Sequence, residues 1–89
     1  MQIKYTPHFL SKIEDIFSQS DYVLRFEKGT FRSGYCVLND QKVVVVNKFY
    51  SLDGKINCLL EILKTLELDN TRMEPKNKQF YEEIRNVQT

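Results

Sequence analysis

Four consecutive valines, Val43 to Val46, stand between Lys42 and Asn47. β-branched residues in such a run favour a strand, and successive side chains of a strand point to opposite faces. With all four apolar, both faces of this strand ask for cover, and an uncovered edge strand of this kind would be an aggregation hazard. Two helices supply that cover, or one helix and a partner chain. The chain has 89 residues, room for one domain and no substantial linker. A domain of this size buries only about 60% of its unfolded surface, so a dimer interface or a partner adds stability that the core alone lacks.

The segments around the valines fall into helices and strands by their periods. Thr6 is a natural N-cap, Pro7 fits the first helical position, and Phe9, Leu10, Ile13, Ile16 and Phe17 recur at three-and-four spacing. From Asp21 the period becomes two, with Tyr22, Leu24 and Phe26 on one side and Val23, Arg25 and Glu27 on the other. Lys28, Gly29 and Thr30 predict a turn that returns residues 31 to 38 antiparallel to this strand. Gly34 within the second strand marks a bulge or a close approach by another backbone. Asn39 and Asp40 make a second turn, and the valine strand follows from about Lys42 to Asn47. Ser51 caps a long helix whose apolar stripe is Leu52, Ile56, Leu59, Leu60, Leu63 and Leu66, widened by Cys58 and Ile62. Pro75 opens a short last helix carrying Phe80, Ile84 and Val87.

The expected fold is therefore α+β: a helix, a three-stranded antiparallel meander, a long helix and a short C-terminal helix. Residues 1–89 form one small domain, in which 69–89 are either a lid over the core or a flexible tail. The first two helices supply most of the core against the sheet, while the valine run asks for cover on its other face as well.

Hydrophobic residues make up 42% of the chain, eleven of them Phe or Tyr, which points to a folded domain. Net charge is +1, so there is no global push toward nucleic acid or anionic membrane. No apolar run approaches the ~18 residues of a membrane span. "MQIKYTPHFL" lacks a charged-then-apolar leader, so a soluble, cytoplasmic chain with Cys36 and Cys58 both reduced is expected.

No constellation for catalysis is recognisable, and a non-enzymatic chain without cofactor or metal is expected. His8 falls outside the apolar stripe and has no companion ligands. "GTFRSG" lacks the Lys-Ser/Thr ending of a phosphate loop and joins antiparallel strands, whereas a phosphate loop leads into a helix. Arg25, Glu27 and Cys36 are three reactive residue types on neighbouring strands, the one motive for a small-molecule or catalytic site.

Charge is uneven along the chain. Between Arg25 and Lys55 six basic residues face three acidic ones, interleaved with Phe26, Phe31, Tyr35, Phe49 and Tyr50. Aromatic and basic side chains on a sheet can stack on and neutralise single-stranded nucleic acid, which makes Arg25, Arg32, Lys48 and Tyr50 the binding candidates of that reading. The leading expectation is a noncatalytic interaction domain that binds a protein partner or forms a homodimer. Its interface candidates are Val44 and Val46 on the sheet and Phe80 and Ile84 on the last helix.

Two resemblances accompany these residues. A strand meander followed by a helix resembles small bacterial zinc-peptidase-like domains, whose helix carries His-Glu-x-x-His. Laid on "LEILK", that pattern matches only Glu61; Leu60 and Lys64 stand at the ligand positions, so the resemblance covers architecture and implies no peptidase activity. "FEKGTFRSGYCVLNDQKVVVVNK" is similar to a group of short uncharacterised bacterial proteins, which supports the fold and carries no activity.

Overall fold

Thr6 starts the first helix as its sequence dictates: the Thr6 hydroxyl accepts a hydrogen bond from the Phe9 N–H at 3.1 Å, and α1 runs Pro7–Ser18. The computed structural model describes residues 1–28 and 34–87. Three strands follow, β1 (Val23–Glu27), β2 (Tyr35–Leu38) and β3 (Val43–Asn47), then α2 (Leu52–Thr65) and α3 (Pro75–Arg85). Ser51 caps α2 by accepting from the Gly54 N–H at 3.1 Å. Asp53 in its first turn and Lys64 in its last complement the helix dipole. The fold is α+β, with the helix stripes, Leu24, Phe26, Val44 and Val46 meeting in one core.

The sheet is mixed, not an antiparallel meander. Its order is β1-β3-β2; β1 runs parallel to β3, and only β2 is antiparallel to it. A meander would have placed β2, with Cys36 and the flanking Gly34, in the centre and left the four valines on an edge. The observed order puts β3 in the centre, where both its backbone edges are paired and Val44 and Val46 are fully buried. β1 and β2 are not paired, and the turn expected between them lies, apart from Lys28, outside the described residues.

Gly34 meets a close approach, though by a side chain. Its φ is +81°, its carbonyl accepts from the Asn47 N–H at 2.8 Å, and a Cβ there would overlap the ring of Tyr50. Glycine is the residue that fits both conditions.

α3 is held on the core by apolar and polar contacts together. Phe80 packs edge-on against Phe9 with ring centroids 5.5 Å apart, and Lys12 lies 4.3 Å over the Phe80 ring. Gln19, at the end of α1, accepts from the Glu74 N–H and the Asn77 side chain, both at 2.9 Å, and so serves an orphan donor at the start of α3. At the other end Arg85 donates to the carbonyls of Leu63 and Leu66 at 3.2 and 2.6 Å. The Tyr81 hydroxyl donates to Leu66 and accepts from Leu68 N–H, each at 2.9 Å. These bonds satisfy carbonyls that the end of α2 leaves open. These contacts dock α3 against α1 and the end of α2.

Asp21 joins three loops. Its carboxylate accepts from the Lys42 ammonium at 2.8 Å and from the Asp69 N–H at 3.0 Å. Lys42 has φ 54°, a left-handed conformation unusual for a non-glycine residue, and the ion pair helps to hold it. The hydrogen bond from Lys42, then that from Asp69, lowers the Asp21 carboxyl below its ordinary value of 3.8. Asp69 is lowered likewise by the N–H and hydroxyl of Thr71. A carboxyl with a depressed folded-state value contributes stability that is present above the unfolded value and lost as pH falls through the folded one. Stability should therefore decline as pH falls from about 5 to below 3.8, and Asp21→Asn should flatten that decline. Urea unfolding followed across this range checks it, and identical slopes for the two proteins would refute it.

Candidate interaction surface

Alternation along the strands divides the sheet into two unlike faces. Leu24, Phe26, Tyr35, Val37, Val44 and Val46 point into the core with the helices. Val23, Arg25 and Glu27 of β1, Val43, Val45 and Asn47 of β3, and Cys36 and Leu38 of β2 point the other way. Among the described residues no helix packs on this outer face. Val23 is 55% exposed and Leu38 38%, while Val45 is buried between its registered neighbours Arg25 and Cys36 without joining the core. The valine run is thus covered by helices on one side only.

The four interface candidates do not lie on this surface. Val44, Val46 and Ile84 have no exposed area and Phe80 almost none, because they fill the chain's own core. Another chain cannot reach them without unfolding the domain. The residues of the valine run that face outward are the odd-numbered pair, Val43 and Val45, and strand register alone decides this parity.

The nucleic-acid candidates are divided. Lys48 and Tyr50 share the turn between β3 and α2. In it the Lys48 N–H donates to Glu27 O at 3.0 Å, the Phe49 N–H to Asn47 Oδ1 at 3.0 Å and the Tyr50 N–H to Asn47 O at 3.2 Å. Phe49 projects from this turn at 69% exposure, with the Lys48 ammonium 5.2 Å from its ring centroid. Lys55 stands 5.4 Å from the ring of Phe26 nearby in the fold. Arg25 lies elsewhere, on the outer sheet face, 3.5 Å from Glu27. Arg32 lies outside the described residues.

Chemistry-bearing side chains are scattered. Arg25 and Cys36 share the outer face with Val45 registered between them, two strand spacings apart or roughly 10 Å. Burial first, then the charge of Glu61, raises the Cys58 thiol above its ordinary value. Burial first, then the charge of the same Glu61, raises the Tyr35 hydroxyl above its ordinary value. His8 is exposed on α1. Among the described residues no three His, Cys, Asp or Glu side chains are placed to hold a metal, and no helix is long and apolar enough to cross a membrane.

Sequence reasoning passed over the edge of β1 that points away from β3. An open groove of about 800 Å³ runs between α1 and this edge; Phe17, Tyr22, Leu24 and Phe26 form its apolar side, and Glu14 and Asp15 line it from the helix. The groove depends on where α1 crosses the sheet, which no local pattern encodes. Comparison of the chain with protein-family models, with the curated proteins and with solved structures finds no match.

Proposed function

We propose that the chain is a noncatalytic interaction domain that binds another protein chain through the outer face and free β1 edge of its sheet. The observation that carries this reading is the outer sheet face, where the exposed Val23 and Leu38 and the half-buried Val43 flank the buried Val45, with no helix over them among the described residues. Uncovered apolar area on a sheet with free edges favours addition of another chain. Native mass spectrometry of the protein purified gently from its own cells tests the reading. A stoichiometric partner of constant mass is expected, and it should be absent from the folded double variant Val23→Glu, Leu38→Glu. Bare monomer from both proteins would overturn the reading.

A second reading, binding of single-stranded nucleic acid, draws on the turn Lys48–Phe49–Tyr50. An aromatic ring exposed to this degree beside an ammonium can take a stacked base, with the charge meeting its phosphate. That reading requires affinity for oligonucleotides that falls steeply with salt and is lost in Phe49→Ala. Absence of binding at low salt would remove it.

A further inference from the structure

β1 is an edge strand, and among the described residues no strand pairs with its side away from β3. The Val23 N–H donates to Lys42 O at 2.9 Å and Glu27 O accepts from the Lys48 N–H at 3.0 Å, so the odd-numbered residues of β1 face β3. By the alternation of the ladder, the N–H and C=O groups of Leu24 and Phe26 point to the open side, where no hydrogen bond meets them among the described residues. The groove beside α1 borders this same edge.

We infer that the occupant of this edge is a second copy of the chain, whose β1 pairs antiparallel with the first about a two-fold axis at Phe26. This rests on the interaction reading above and names its partner. In that register Phe26 faces Phe26 and Leu24 faces Lys28 as hydrogen-bonded pairs, which uses the four backbone groups left open on Leu24 and Phe26 of each copy. Arg25 and Glu27 then face each other as non-hydrogen-bonded pairs, the closer kind, at Cα separations of about 4.5 Å. Symmetry produces this ion pair twice, because residue i meets j and j meets i.

Charge selects the register. Moving the axis to Arg25 sets Arg25 against its own copy, and moving it to Leu24 sets Glu27 against Asp21. Both confront like charges, which destabilises a cross-strand pair. The axis at Phe26 also places the partner's Lys28 opposite Leu24, on the face where Glu14 and Asp15 line the groove. β2, the other edge, offers Cys36 and Leu38 on its outer face and no charge to set a register. The product is a continuous six-stranded sheet, β2-β3-β1-β1-β3-β2, with every helix on one side.

Sedimentation and native mass spectrometry of the purified chain, from micromolar to millimolar concentration, test the pairing. Wild type should pass from monomer to dimer. Arg25→Glu and Glu27→Arg, both at exposed positions, should each weaken the dimer roughly tenfold or more, since each turns two attractive cross-strand pairs into repulsive ones. An equimolar mixture of the two variants should restore dimer as the mixed species, because every Glu then faces an Arg. A monomer at all concentrations, variants that dimerise like wild type, or a mixture that stays monomeric would each overturn self-pairing. If the purified chain is monomeric while protein from its own cells carries a different chain, lost in Val23→Glu, Leu38→Glu, self-pairing fails and the interaction reading stands. If neither association is seen, both fall.

Discussion

Phe80→Ala is expected to remove about 3–5 kcal/mol of stability, lowering Tm by at least ~12 °C at the 4–8 °C per kcal/mol usual for a domain of this size. The ring is buried against Phe9 and beneath the Lys12 ammonium, so its loss leaves a cavity that the two helices cannot easily close. Small domains are stable by only about 5–15 kcal/mol, and this one substitution takes a large share. Thermal unfolding followed by circular dichroism measures the effect. A shift below about 3 °C would mean that α3 does not dock on α1.

Parity on β3 produces the other large effect. Val44→Asp should abolish folding at 25 °C, because an unpaired carboxylate in this core costs several kcal/mol whether it stays charged or takes up a proton. Val23→Asp, on the opposite face and more than half exposed, should stay within about 0.5 kcal/mol of wild type. Urea titration of the two variants reads the contrast directly. Equal losses would show that both sheet faces are buried, and the bare outer face would then be no surface at all.

These expectations show which parts of the fold were legible in the sequence. Helix starts were written locally: Thr6 with Pro7, Ser51 and Pro75 stand where the helices begin. The inward set of β1, Leu24 and Phe26, followed from a period of two. Strand order was not local. A hairpin between β1 and β2 and the observed parallel pairing of β1 with β3 use the same alternation, and they differ in which strand gains the central place. The valine run held that information, since a strand apolar on both sides gains most from lying between two neighbours. The stripe of Phe80 and Ile84 reads alike as core or as interface, and only the position of α3 against Phe9, Gln19 and the end of α2 separates the two. Of the surface candidates, Lys48 and Tyr50 were brought together because they share a turn. The capping of α2 by Arg85 had one weak sign, a basic residue near a helix end, and that helix was its own rather than the one it caps.

The parallel pairing of β1 with β3 has a kinetic consequence. β2 and β3 are joined by a short turn and can zip together within microseconds, as hairpins do. Registering Val23 beside Val43 instead requires closure of a loop spanning twenty positions, with β2 carried inside it. The hairpin therefore waits for β1, and during that wait the flank of the valine strand that β1 will occupy is unpaired. Substitutions that weaken the α1–β1 contact are therefore expected to slow folding more than those confined to the hairpin turn.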